Sequence, residues 1–144
     1  MQKSFRLFLT LLLSLSMAVA ALAESETHKK LNAGSEGEVI NLKPHLVGGK
    51  TNIIDFYSDY CPPCRAVAPY LEKLAAKDPD VVVGKVDINR PGHRGIDWKS
   101  PVAEQFGLQS VPHFKVYDGT GKLVAEGDEA RQMVIELLEK NKIE

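Results

Sequence analysis

The chain has 144 residues, enough for one ordinary domain. Hydrophobic residues make up 44 % and charged residues 26 %, a globular balance that excludes a disordered or collagen-like chain. The 18 basic and 19 acidic side chains give a net charge of −1, so no basic excess points to nucleic acid as a partner. Two cysteines allow a single disulfide within the chain and are too few for a four-cysteine zinc site.

The first 23 residues have the three-part pattern of a secretory signal peptide. Lys3 and Arg6 supply the positive start, and residues 7–20 are almost wholly apolar. Small residues follow in Ala21-Leu22-Ala23, at the two positions that a signal peptidase reads. The apolar run is shorter than the roughly 20 residues of a membrane span, which favours cleavage over retention as a membrane anchor. We therefore predict export, into the periplasm if the host is Gram-negative, where a disulfide can persist.

Hydrophobic periodicity and turn residues divide the rest of the chain into alternating strands and helices. Residues 24–37 are polar and small, which indicates a flexible lead before one domain over residues 38–144. The predicted elements are a strand over 38–42, a helical turn over 44–47, a strand over 51–57, a helix over 64–77 that contains Pro69, a strand over 81–88, a loop over 89–100, a short helix over 101–106, strands over 113–117 and 122–126 joined by a turn, and a last helix with Asp128 as its N-cap.

The order of these elements predicts the fold class. A strand–helix–strand unit implies a parallel pair with a right-handed crossover. The hairpin near the end of the chain adds antiparallel strands. We therefore predict an α/β fold with a central mixed β-sheet flanked by helices on both faces.

Cys61 and Cys64 lie between a predicted buried strand and a predicted helix, a position typical of a redox-active pair. A helix N-terminus offers free N–H groups and a partial positive charge, which favour a thiolate at Cys61. We therefore expect Cys61 to be the more exposed cysteine and the nucleophile, and Cys64, one turn later, to resolve the mixed disulfide. Pro63 loses nothing by lacking an N–H in the first helical turn. Pro62 removes one possible hydrogen-bond donor to the Cys61 sulfur, which should leave the Cys61 thiol less acidic.

Two other interpretations of the pair stay open at this point. A structural disulfide would close so small a loop that it constrains the unfolded chain little. A metal site could combine both sulfurs with His93 or His113, although no spacing selects a histidine ligand. The chain is thus an oxidoreductase, a copper carrier or a non-catalytic binding module, and the sequence favours the oxidoreductase.

Several segments together resemble the thioredoxin family. They are residues 52–57 with an aspartate inside the strand, residues 60–65 with Pro69 five residues after the second cysteine, residues 110–114, and Gly121-Lys122 in the hairpin. The resemblance covers about residues 38–142 and implies a thioredoxin fold. With the signal peptide, it points to the extracytoplasmic members of the superfamily.

The resemblance also implies an activity. The protein would exchange disulfides with protein disulfide or dithiol substrates, as a monomer. It would need no cofactor, because the electrons reside on the sulfurs of Cys61 and Cys64, and an upstream redox partner would reset the pair. No metal is implied, and a membrane would be met only through an uncleaved signal.

Further residues receive roles from the resemblance. It implies that Asp55 exchanges a proton with Cys64, beside a lysine of the next strand whose place Lys85 takes. An unpaired buried carboxylate is costly, and desolvation raises its pKa, which suits this role. The alternatives are a hydrogen-bonded structural Asp55 and a solvated Lys85.

The substrate-contacting residues are implied in the same way. Pro112 would follow a cis peptide bond beside the disulfide. Its missing N–H leaves the backbone of Val111 free to pair with an extended substrate strand. Tyr60, Pro62 and Pro63 would meet the substrate around the cysteines.

The chain departs from the family pattern around the cysteines. Tyr57 and Tyr60 stand where thioredoxins usually carry tryptophan, and Pro62-Pro63 replaces Gly-Pro. His113 stands where threonine is common, and it either tunes the thiolate near neutral pH or is a tolerated surface residue. Because the two prolines remove hydrogen-bond donors near the Cys61 sulfur, the motif favours a reductant over an oxidant.

The loop over residues 91–100 looks longer than in thioredoxin. Loops often carry specificity, so its Trp98 could meet a partner. We expect instead that Trp98 packs as a lid on its own domain.

Overall fold

The computed structural model describes residues 27–144. The predicted signal peptide, residues 1–23, lies outside the described residues. Across 27–144, the helices are too short or too polar to cross a membrane.

The described part of the chain contains five strands and three α-helices. The strands are β1 (His28–Lys30), β2 (Thr51–Tyr57), β3 (Val81–Asp87), β4 (His113–Tyr117) and β5 (Leu123–Glu126). The helices are α1 (Pro62–Lys77), α2 (Pro101–Gln105) and α3 (Asp128–Lys140), and a 3₁₀ turn covers Lys43–His45.

The strands form one mixed sheet in the order β1-β3-β2-β4-β5. β2 and β1 both run parallel to β3, whereas β4 runs antiparallel to β2 and β5 antiparallel to β4. The predicted mixed sheet is therefore confirmed. β2 lies at its centre, so Asp55 has Lys85 beside it on β3 and Phe114 beside it on β4.

Successive residues of β2 point to opposite faces of the sheet, and each face has its own core. Ile53 packs with Leu71 and Leu74 of α1 and Val134 of α3. Phe56 belongs to the other core, which includes residues of α2 and Leu42. Helices thus cover both faces, as predicted.

Helix α1 begins directly after Cys61, which is its N-cap in extended conformation. Pro62 and Pro63 occupy the first two helical positions, where the fixed φ of proline suits the helix. The helix continues through Pro69 to Lys77, so the expected helix is confirmed, with its start two residues earlier than predicted.

The expectation of a flexible lead over 24–37 is wrong from residue 28 onward. β1 pairs with β3, and the Val83 N–H donates to the Thr27 carbonyl over 2.7 Å. Gly84 has no side chain, which lets Leu31 pack closely: a Cβ at residue 84 would lie 2.6 Å from Leu31 Cδ1. The pairing rests on backbone groups and one small residue, and polar side chains at 28–30 give no hydrophobic period to reveal it.

Two smaller expectations are also wrong. Residues 38–42 form no strand, because the backbone N–H and C=O of Ile40 pair with the side-chain amide of Gln105 instead of with a strand, over 2.9 Å each. The N-cap of α3 is Gly127, with φ +62°, and Asp128 is the first helical residue.

Candidate active site

Cys61 and Cys64 form a disulfide at the N-terminus of α1. The Cys64 N–H donates to Cys61 Sγ over 3.2 Å, which leaves the sulfur with one backbone donor from the first turn. An N-cap side chain ordinarily accepts from the second or third helical residue. Pro63 is that second residue, so it is Pro63, more than Pro62, that removes a well-placed donor.

Both cysteines are buried to the same degree, with 2 % of each residue exposed, so the expectation that Cys61 is the more exposed one is wrong. Tyr57 lies with them in one apolar cluster, and Ile96 and Val111 pack against it. Cys61 Sγ lies 3.5 Å from the Val111 carbonyl oxygen. A disulfide sulfur has no proton to donate there, whereas a reduced Cys61 thiol has one.

The Val111–Pro112 peptide bond is cis, as the resemblance implies. In the described part of the chain, the Val111 N–H makes no hydrogen bond. Tyr60 is 51 % exposed, and Pro62 and Pro63 are exposed too. The structure thus gathers the residues assigned to substrate contact around the disulfide.

Asp55 is fully buried, and within residues 27–144 neither of its carboxyl oxygens has a hydrogen-bond partner. Burial raises the pKa of Asp55 to about 7 from its ordinary 3.8, and the positive charge of Lys85 opposes this only in part. A carboxyl group poised near neutral pH suits proton exchange. The alternative of a hydrogen-bonded structural aspartate does not fit.

Lys85 is half-buried and faces the same side of the sheet as Asp55. Its Nζ lies 4.2 Å from the centre of the Tyr57 ring, a cation–π contact. Burial, together with the negative charge of Asp87, raises the pKa of Tyr57 to about 12, so its hydroxyl stays protonated. Lys85 therefore packs against the Tyr57 ring, on the Asp55 side of the sheet, instead of being freely solvated.

His113 lies beside the cis proline and contacts Glu126, with 3.1 Å between Nε2 and Oε1. Lys115, buried on the same strand, approaches the same Oε1 to 2.6 Å. The hydrogen bond from Lys115 and the weaker contact with His113 lower the pKa of Glu126. The sequence analysis missed Lys115 and Glu126, because a register shift between Val116 and Tyr117 brings them opposite each other in the β4–β5 hairpin.

The loop before α2 contains a second group that the sequence analysis missed. Arg90 binds the carboxylate of Asp97 through two nitrogens, over 2.7 and 3.0 Å. The loop brings Ile96 against the cysteine cluster. Trp98 is 41 % exposed, so the expectation that it packs as a lid is wrong.

The two histidines proposed as metal ligands are engaged elsewhere. His93 Nδ1 lies 3.7 Å from Asp97, and His113 contacts Glu126. Over residues 27–144, no three side chains of His, Cys, Asp or Glu are grouped so that they could hold a metal ion.

A disulfide at a helix N-terminus, covered by a cis-proline segment and backed by a buried acid, defines a thiol–disulfide exchange protein. The thioredoxin family model matches residues 41–140, and the chain belongs to the thioredoxin family. It is a thioredoxin-like protein-disulfide oxidoreductase.

Known relatives agree with this assignment. Thioredoxin H3 of Arabidopsis thaliana is 37 % identical over 119 residues, 75 % of this chain and 93 % of that protein. The chloroplastic F-type thioredoxin of Mesembryanthemum crystallinum is 38 % identical over 79 residues, 55 % of this chain but only 37 % of its own length. The crystal structure of Malassezia sympodialis thioredoxin has a TM-score of 0.52 at 20 % identity, covers 79 % of this chain and 90 % of its own, and supports the fold.

Proposed function

We propose that this protein is an extracytoplasmic reductant of protein disulfides that works through the Cys61–Cys64 pair. The observation that carries the direction is the N-cap position of Cys61, where two prolines leave its sulfur with the Cys64 N–H as backbone donor. A poorly stabilised thiolate makes the reduced pair a stronger electron donor, because the disulfide form is then relatively favoured.

The exchange proceeds in two displacements. The Cys61 thiolate attacks one sulfur of the partner disulfide, so a bond forms between Cys61 Sγ and that sulfur, and the other partner sulfur leaves as a thiolate. The Cys64 thiol then loses its proton, and its sulfur attacks Cys61 Sγ. The second partner sulfur leaves, the Cys61–Cys64 disulfide forms, and two electrons have passed to the partner.

Asp55 is the group that takes the Cys64 proton. Its buried carboxyl has a pKa of about 7, so at neutral pH a large fraction is ionised and able to accept. Lys85 lies on the neighbouring strand, and its charge favours the ionised carboxylate. Asp55 is thus a base that solvent does not reach.

The partner is a polypeptide in extended conformation. The unused N–H of Val111 offers it one strand-like hydrogen bond, and the cis Pro112 keeps that backbone beside the sulfurs. An upstream dithiol protein returns two electrons to the pair after each cycle. We also propose that residues 1–23 direct export and that the protein acts as a monomer.

The test measures reduction of insulin disulfides, together with the equilibrium potential of the pair against glutathione. We expect a potential near the reducing end of the scale, where thioredoxin lies at about −270 mV. Cys61→Ser should abolish turnover, and Cys64→Ser should accumulate mixed disulfides that are released by dithiothreitol. Full activity of Cys61→Ser would refute the mechanism, and a potential near −120 mV would reverse the direction.

A further inference from the structure

The loop over residues 89–100 is closed on itself by the carboxylate of Asp97. Only 1 % of that side chain is exposed, and Arg90 donates hydrogen bonds to its two oxygens from Nε and Nη2. The side chain of Asn89 adds two bonds, one from the Asp97 N–H over 3.3 Å and one to the Gly95 carbonyl over 2.6 Å. Bidentate, charge-assisted bonds of this kind fix geometry as well as adding energy. These contacts therefore hold the loop in one defined conformation.

Both ends of the loop are anchored to the body of the domain. Gly37, with φ +77°, lies so close to Arg90 that a Cβ there would come within 2.7 Å of the Arg90 backbone nitrogen. Ser100 is fully buried and caps α2, where its Oγ accepts from the Ala103 N–H over 3.3 Å. The ion pair thus positions the middle of the loop against a fixed base.

The middle of the loop lies at the disulfide. Ile96 packs against the cluster of Tyr57, Cys61 and Cys64. The Trp98 N–H donates to the Ile96 carbonyl over 3.1 Å, which makes a tight turn and holds the two residues close together. Trp98 nevertheless stays 41 % exposed. The loop therefore presents an exposed indole close to the side chain that packs against the cysteine cluster.

We propose that Ile96 and Trp98 form a docking wall for an apolar side chain of the polypeptide partner, next to its target disulfide, and that Arg90 and Asp97 are the positioning residues of that wall. The inference rests on the proposed function. A partner sulfur must reach Cys61 in the cluster against which Ile96 and Val111 pack, so the partner residues beside that sulfur come close to the loop.

The occupant is an apolar side chain because of what the wall exposes. Trp98 is a large, rigid aromatic surface, of the kind that anchors protein interfaces. The carboxylate of Asp97 is turned inward to Arg90, so it offers a cationic side chain of the partner no ion pair. An apolar side chain that packs on the Trp98 ring gains there by leaving water.

The experiment compares two disulfides, insulin and a small aromatic disulfide such as dithiobis(nitrobenzoate), in steady-state assays. Trp98→Ala should lower kcat/KM for insulin at least tenfold, through KM, and change that for the small disulfide less than twofold. The matched control is Tyr70→Ala, an aromatic of 39 % exposure on α1, which should leave both rates unchanged. Asp97→Asn should show the same selective loss with an unchanged reduction potential, because Arg90, with 43 % of its side chain exposed, stays hydrated.

Trp98 is the single tryptophan of the chain, which provides a direct readout. A peptide with one cysteine flanked by leucines is first activated as its mixed disulfide with nitrothiobenzoate. In the Cys64→Ser variant, the Cys61 thiolate should attack the peptide sulfur, release nitrothiobenzoate as the leaving thiolate and shift the Trp98 emission to shorter wavelength. The same peptide with serines as flanks should give a smaller shift. Equal shifts, or equal losses for insulin and the small disulfide in Trp98→Ala, would overturn the docking wall. If the wild-type protein reduced neither disulfide, the proposed function itself would fail.

Discussion

Asp55 shows how one residue can be unfavourable for the fold and useful for the reaction. It is a carboxyl group in an apolar strand, with its oxygens unpaired among residues 27–144. Burial shifts its pKa from 3.8 to about 7. The folded protein therefore binds this proton more tightly than the unfolded chain does. The contribution of Asp55 to the free energy of unfolding is therefore fullest below pH 4, falls as the pH rises toward 7, and is level above that.

Asp55→Asn removes this titration, and we expect it to stabilise the protein at alkaline pH. A shift of about three pH units, at about 1.4 kcal/mol per unit, corresponds to roughly 4 kcal/mol. The variant should unfold at higher urea than the wild type at pH 8, and the difference should shrink to near zero at pH 4. The measurement is urea denaturation of the oxidised proteins from pH 4 to pH 8. A gap that stays constant with pH would show that Asp55 does not titrate as described.

Asp55 could be singled out from the sequence because a charged residue inside an apolar strand is visible without any partner. The hydrogen-bond and ion-pair partners of other site residues could not be predicted from the sequence. Arg90 and Asp97 are seven residues apart in a loop without period, and His113 meets Glu126 only through the register of a hairpin. Such contacts depend on a backbone path that neither spacing nor composition determines.

At the scale of an element, the first turn of α1 sets the properties of the cysteine pair. Its first two helical residues are prolines, so the Cys64 N–H supplies the hydrogen bond to Cys61 Sγ from that turn. The partial positive charge at a helix N-terminus resides on such N–H groups. A first turn with fewer donors therefore stabilises the Cys61 thiolate less.

Pro63→Ala restores a donor at the second helical position, and we expect it to make the pair more oxidising. A hydrogen bond to a charged sulfur is worth about 1.5–3 kcal/mol. With about 30 mV for each 1.4 kcal/mol, the potential should rise by about 30–60 mV. The matched variant Pro62→Ala adds an N–H at the first position, which an N-cap side chain does not use, so its shift should be smaller. Both potentials are measured against glutathione, and equal shifts would contradict the geometry.

Most elements of the fold were predictable, whereas β1 and the segment over residues 38–42 were not. α1, β2 and β3 carry unmistakable patterns, because each buries a continuous apolar face against a core. β1 has three polar or charged residues and is held by backbone pairing with β3. Residues 38–42 look like a strand, but Gln105 occupies the backbone groups of Ile40. In both cases the partner, not the segment, decides the structure.

For the whole molecule, β1 completes the sheet on the side of β3. It shields the backbone of β3, and Lys30 bridges Asp87 and Glu36 over 3.0 and 2.9 Å. The proposed cleavage after Ala23 leaves Glu24 as the first residue, four residues ahead of β1. Export would therefore remove the targeting segment and keep every strand of the described domain.

We expect the protein recovered from the periplasm of a Gram-negative host to have the mass of a chain that begins at Glu24, and to be fully stable. A chain that begins at Leu31 lacks β1, so the buried Val83 N–H loses its acceptor and Lys30 no longer bridges β3. Each lost hydrogen bond costs about 1 kcal/mol. The shorter chain should unfold at lower urea and exchange the amide hydrogens of β3 faster. Its reduction potential should stay unchanged, because the cysteines follow β2, which β3 separates from β1 in the sheet. Equal urea midpoints for the two chains would show that β1 contributes nothing to the fold, and a mass that includes residues 1–23 would contradict cleavage.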